Sequence, residues 1–123
     1  MGAGWRSSPG GTRGIGAAIT RRLARDGVAV VATYVDRAGG ADALAAEPSN
    51  AAVATMRADV SDPAALLGAM DATYARFGRL DILVNNAGVA IVGPLADYAA
   101  DAFHRSFALN VRAPFLAAQK AAC

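Results

Sequence analysis

The 123 residues predict an α/β fold, a doubly wound parallel sheet with flanking helices, and three observations carry that prediction. Strand-like apolar runs alternate with helix-like runs three times over, the pattern of a parallel sheet covered by helices. The stretch at 28–35 is continuously apolar and β-branched instead of alternating, as a strand buried on both faces should be. A glycine turn, Gly10-x-x-x-Gly14-Ile15-Gly16, stands directly before an amphipathic helix, where a phosphate-cradling turn would stand.

The elements follow in order. A strand has to feed the glycine turn, yet residues 1–9 hold two glycines, two serines and Pro9, a poor strand composition. Either it forms a ragged central strand, or this region departs from the ancestral pattern. A helix follows over 14–26, with Ile15, Ile19 and Leu23 on one face and Arg21, Arg22 and Arg25 on the other. Gly27 is placed to end it with a left-handed cap. After the strand at 28–35, an alanine-rich helix at 38–47 breaks at Pro48-Ser49-Asn50, and 51–57 is the next strand. Ser61-Asp62-Pro63 marks a helix start, with a capping side chain and proline in the first turn. Leu66, Met70, Tyr74 and Phe77 continue that helix at helical spacing up to a capping Gly78. A strand is expected at 81–85 and a long helix from 101 to 122. The whole chain reads as one dinucleotide-binding domain over 1–123, incomplete because such a sheet has about six strands.

Composition narrows the function. With 54% hydrophobic and 18% charged residues a core can form. The net charge of +2 is small and the arginines are scattered, which argues against a nucleic-acid surface. Cys123 is the single cysteine, so neither an internal disulfide nor a cysteine metal cluster is expected. Arg21-Arg22 before an apolar run resembles a twin-arginine signal, but Arg25, Asp26 and Gly27 interrupt it and the run is too short for a membrane span. The expectation is a cytoplasmic protein with no membrane partner and no metal.

The glycines have separable jobs. The first permits a tight turn, and the later ones let the backbone approach a pyrophosphate and the helix lie close to the sheet. The helix opening at Gly14 would aim N–H groups and its positive dipole end at the phosphates. The spacing differs from the common G-x-G-x-x-G, which the chain lacks.

Together with Asp59-Val60, Asn85-Asn86-Ala87-Gly88 and Asn110-Val111, in this order and spacing, the turn resembles the short-chain dehydrogenase/reductase family. The resemblance runs from Gly10 to the end of the chain. It implies a Rossmann-type fold and hydride transfer between a nicotinamide and a carbonyl or secondary alcohol carbon. Gly10, Thr12, Arg13, Gly14, Ile15 and Gly16 would hold the pyrophosphate side. Asp59 and Val60 would meet adenine, although Asp59 could instead cap the next helix region. Asn86, Ala87 and Gly88 would let the backbone pass close to the nicotinamide and its ribose. Pro9 stands where the family usually has threonine.

The choice of cofactor leans to NADP(H) over NAD(H). NAD-specific folds of this kind place an acid at the end of the second strand, and here that position is Tyr34. Arg13 is where family members that prefer NADPH meet the 2′-phosphate through charge-assisted bonds. Asp36, two residues past Tyr34, could still reach the ribose.

Asn110 is the catalytic residue the resemblance assigns within the chain. In the family it holds a water linked to the catalytic lysine from a kinked helix. Pro114 has no N–H for the Asn110 carbonyl four residues earlier, so the sequence itself predicts the kink. The family's serine and its Tyr-x-x-x-Lys pair come later than this asparagine. The single lysine here, Lys120, has Leu116 four residues before it. Loss of a positioned acid/base removes a factor on the order of 10² to 10⁴ in rate, so residues 1–123 alone are expected to be inactive. Two other readings stay open: a non-catalytic NADP(H)-binding module, and a degenerate remnant that associates with a full-length relative. Phe103, Phe107, Val111 and Phe115 form one helical stripe, read as core or as a subunit contact through 101–122. His104 falls off that stripe and should be solvated. The substrate class implied is a small carbonyl or alcohol.

Overall fold

The segment with the poorest strand composition sits at the centre of the sheet. In the computed structural model, which describes residues 3–7, 14–35, 38–47 and 52–123, β1 (Ala3–Ser7) pairs in parallel with β2 (Ala29–Tyr34) on one side and with β4 (Ile82–Asn85) on the other. Trp5 stands in register with both Val31 and Leu83. Pairing on both edges satisfies backbone groups that a glycine-containing strand could not organise alone. A central strand therefore forms over Ala3–Ser7.

β3 (Val53–Arg57) pairs in parallel with β2, giving the order β3-β2-β1-β4. The chain steps outward from β1 to β3 and then crosses back to place β4 beyond β1. Parallel crossovers are right-handed, so the reversal puts α1 (Gly14–Arg25) and α2 (Ala38–Ala46) on one face and α3 (Pro63–Phe77) on the other. On the α3 face, Val31, Val60, Leu66, Met70, Leu109, Ala113 and Ala117 form one buried cluster. Val30 and Ala32 alternate to the opposite face, which the buried Ala17, Thr20, Ala41 and Leu44 serve. β2 is buried from Ala29 to Thr33, as its unbroken apolar run predicts.

One expectation about α1 changes. Ile15 is 73% exposed, and the buried positions are Gly16, Ala17 and Thr20. Small residues let the helix axis approach the sheet more closely than an isoleucine face would. The Thr20 hydroxyl donates to the Gly16 carbonyl at 2.9 Å, so its burial leaves no orphan polar group.

The helix ends match the caps read from the sequence. Asp62 accepts from the Ala64 N–H at 3.1 Å and Pro63 opens α3. Gly78 closes it at φ 72°, its N–H on the Tyr74 carbonyl. Gly27 likewise takes a left-handed φ of 85°.

The long C-terminal helix is three segments. α4 (Ala100–Phe107) runs into a π-helical stretch (Ala108–Arg112), which hands over to α5 (Ala113–Ala121). The Ala113 N–H reaches back five residues to the Ala108 carbonyl. Pro114 removes the N–H that would close the next α-type bond onto Asn110. The expected kink is thus a π-bulge with Asn110 inside it.

Candidate functional site

All four strands are parallel, so their C-terminal ends lie along one edge. β1 and β4 are the neighbours between which the strand order reverses. Ligand clefts in open parallel sheets form at that switch point. Ser7 and Asn85 are partners in register there, with Tyr34 and Arg57 closing the β2–β3 pair.

Beyond β4, residues 86–94 form a loop that Asn110 holds by its backbone. The Val89 N–H donates to Asn110 Oδ1 at 2.9 Å, and Asn110 Nδ2 donates to the Val89 carbonyl at 2.8 Å. One amide thereby satisfies both polar groups of one residue, 21 positions away in sequence. Gly88 shows how closely the two approach: a Cβ there would lie 3.2 Å from Asn110 Oδ1. Asn86 and Ala87 are half-buried between β4 and this clamp. Further along the loop, the Tyr98 hydroxyl donates to the Ile91 carbonyl at 2.8 Å, above a short 3₁₀ turn (Leu95–Asp97).

Beyond β3 the backbone turns tightly. The Ala58 N–H bonds to the Tyr34 carbonyl at 2.9 Å, tying this loop to the end of β2. Asp59 Oδ1 accepts from the Ser61 N–H at 3.0 Å and from the Ser61 hydroxyl at 2.6 Å. Asp59 therefore fixes its own turn, while the capping of α3 falls to Asp62. Val60 turns its side chain into the core, at 2% exposure, so any ligand contact it makes is through backbone.

At the start of α1, Gly14 has φ 54°, a left-handed conformation that glycine adopts without penalty. The first turn holds no acidic side chain. First-turn N–H groups lack intrahelical acceptors, the kind of donor an anion can use. Gly10, Thr12 and Arg13, and the alternative ribose ligand Asp36, lie outside the described residues. The structure brings Gly14, Ile15 and Gly16, the Tyr34 strand end, the Asp59 turn, the 86–88 loop and Asn110 to one edge of the sheet.

Sequence reasoning missed the reach of Arg112. Its Nη2 donates to the Ser61 carbonyl at 2.6 Å across 51 positions. No local pattern announces a bond of that span. Lys120 lies elsewhere: its ammonium meets Asp71 Oδ1 at 2.8 Å between α5 and α3. Hydrogen bonding to Asp71, with its charge, raises the Lys120 pKa above the ordinary value. Among the described residues no group of histidine, cysteine and acidic side chains could hold a metal, and no helix is long and apolar enough to cross a membrane.

Fold and site define a doubly wound parallel α/β protein whose candidate cleft lies at the β1/β4 reversal, floored by an asparagine-clamped loop. The family model described as enoyl-(acyl carrier protein) reductase matches residues 10–123. An uncharacterized oxidoreductase of Methylorubrum extorquens is 40% identical over 114 residues, 91% of this chain and 46% of its own length. A short-chain dehydrogenase of Burkholderia cenocepacia, solved in complex with NADP, is 43% identical with a TM-score of 0.87, over 98% of this chain and 49% of its own. A 3-ketoacyl-(acyl-carrier-protein) reductase of Brucella melitensis, complexed with NADH, is 32% identical with a TM-score of 0.85, over 97% and 48%. The chain belongs to the short-chain dehydrogenase/reductase family, whose members are oxidoreductases. It spans about half the length of the curated relatives it matches.

Proposed function

We propose that these residues form the NADP(H)-binding part of a short-chain reductase acting on a small carbonyl or secondary alcohol. The observation that carries this reading is the paired hydrogen bond between Asn110 and Val89. It spends a side-chain amide in a π-bulge to hold loop backbone beside the sheet reversal, where a nicotinamide and its ribose would lie. The donor set fits a dinucleotide. Gly14, Ile15 and Gly16 offer helix N–H groups to a pyrophosphate, and exposed Asp59 offers an acceptor to an adenine amine. The 86–88 loop has only one small side chain, Ala87, after Asn86. A bound nicotinamide would supply the hydride; the residues here bind it, orient it and hold a polar group at Asn110.

NADP(H) is favoured over NAD(H) because Tyr34 ends β2 where a ribose-binding acid would stand, and because Arg13 precedes the helix. A guanidinium near a 2′-phosphate gives charge-assisted bonds, whereas a carboxylate would repel it. Relatives solved with NADP and with NADH both occur, so the preference rests on this chain's own residues. The test is a titration of purified protein with NADPH and NADH, read by nicotinamide fluorescence. Saturable binding, tighter for NADPH and losing that preference in Arg13→Ala, is the expected result. Absence of saturable binding, or tighter NADH, overturns it.

A further inference from the structure

We propose that Arg112 is a positioning residue for the adenosine half of the cofactor, set two residues from Asn110 so that one π-bulge ties down both halves of the site. The π segment bonds two loops at once: Asn110 takes Val89 beyond β4, and Arg112 takes Ser61 beyond β3. On the cofactor reading proposed above, the first loop meets the nicotinamide side and the second carries Asp59 and Val60 to the adenine.

The β3 loop depends on such a tether. Its inner side is anchored, with Ala58 and Val60 buried at 6% and 2%. Its start is tied to β2 by the Ala58 N–H on the Tyr34 carbonyl, and among the described residues its outer side carries the bonds of Asp59 to Ser61 and of the Asp62 N–H to the Asp59 carbonyl at 3.1 Å. The bonds within the turn shape it without tying its outer side to the C-terminal helices. The 2.6 Å bond from the Arg112 guanidinium to the Ser61 carbonyl supplies that tie, from the segment that also holds Asn110. A charged donor makes the stronger class of hydrogen bond, and the carbonyl lies two residues past the Asp59 carboxylate. Arg112 itself is exposed, so replacing it leaves no cavity in the core.

The experiment compares wild type, Arg112→Ala and Arg112→Lys in the full chain. Calorimetric titration with 2′,5′-ADP reads the adenosine half. Saturation-transfer NMR of NADP⁺ reads adenine and nicotinamide protons separately. The expected result is about tenfold weaker 2′,5′-ADP binding in Arg112→Ala, consistent with loss of one charge-assisted hydrogen bond. Adenine signals should fall relative to nicotinamide signals, with substantial recovery in Arg112→Lys. A wild type that binds while Arg112→Ala binds equally well overturns the role of Arg112 and leaves the cofactor reading standing. Equal loss of adenine and nicotinamide signals overturns it too, because that marks general loosening. A wild type that binds neither ligand overturns the cofactor reading and this inference together. If Arg112→Ala does not fold, Arg112→Gln takes its place, keeping a neutral donor on a shorter stem.

Discussion

Asn110 makes two bonds to one residue, and that geometry decides what its substitutions do. Alanine removes both the 2.9 Å and the 2.8 Å bond to Val89. The Val89 groups are near the surface and water can replace the amide, so Asn110→Ala should lower stability by only about 1 kcal/mol. Cofactor binding should suffer more, about tenfold in Kd by NADPH fluorescence, because the loop is no longer pre-positioned. Aspartate is the sharper probe. It can accept from the Val89 N–H but, ionised, has nothing to donate to the Val89 carbonyl, so it sets an anion against a lone pair. Asn110→Asp should therefore bind NADPH more weakly than Asn110→Ala; equal or better binding would remove the clamp from the site. Lys120 gives a prediction of the opposite kind. Its pKa is raised by Asp71, so its contribution is fully present below the unfolded value near 10.5 and is lost as pH climbs through the folded value. Both partners reach solvent, with side chains at 38% and 61%, and such pairs contribute little. Unfolding midpoints of wild type and Asp71→Asn should coincide closely from pH 6 to 9. They should separate only through a wild-type loss above pH 10.5.

At the scale of elements, α3 is the one whose ends can be tested one at a time. Asp62→Ala removes the side-chain acceptor for the Ala64 N–H and should destabilise by about 1 kcal/mol. Gly78→Ala should lower stability by about 1 kcal/mol through strain alone: φ is 72° and an added Cβ would meet nothing within 4 Å. The sites share no contact, so urea denaturation of the double variant should give the sum. These caps were legible in the sequence because capping is decided within four residues by side-chain chemistry and φ. The π-bulge was half legible: Pro114 announces a missing N–H, while neither the five-residue ladder nor the bond from Asn110 to Val89 has a local sequence signal. The buried face of α1 was misread, since periodicity ranks Ile15 above Gly16. The sheet instead selects the side that lets the helix come close. Tertiary bonds such as Arg112 to Ser61 were not legible at all, for nothing in either segment encodes a partner 51 residues away. β1 was legible only by necessity: its own residues argue against a strand, and two neighbours make it one.

The whole molecule presents two surfaces with different demands. Phe103, Phe107, Val111 and Phe115 stand between 47% and 62% exposed along α4, the π segment and α5, with the Phe103 and Phe107 rings stacked at 5.1 Å. A continuous apolar stripe of this kind favours association. The isolated chain should therefore self-associate at micromolar concentration, and Phe107→Glu should move it toward monomer in sedimentation experiments. On the cofactor reading proposed above, the sheet edge takes a ligand. If NADPH binds only the folded state, a concentration of about 100 times Kd stabilises it by about 2.7 kcal/mol. For a domain of this size that raises the melting temperature by on the order of 10 °C, an effect Arg13→Ala should reduce. Turnover is a separate matter. A carbonyl oxygen receiving a proton needs a positioned acid, which the family takes from a tyrosine four residues before a lysine. In residues 1–123 the one lysine is engaged with Asp71 between α3 and α5, and Leu116 occupies the position four residues earlier. The expected behaviour is thus a melting-temperature shift with NADPH and no NADPH consumption when a panel of ketones and aldehydes is added. Measured oxidation of NADPH above the uncatalysed rate would require an acid other than a tyrosine–lysine pair, and Tyr98, whose hydroxyl bonds to the Ile91 carbonyl in the loop beyond β4, would be the first residue to replace.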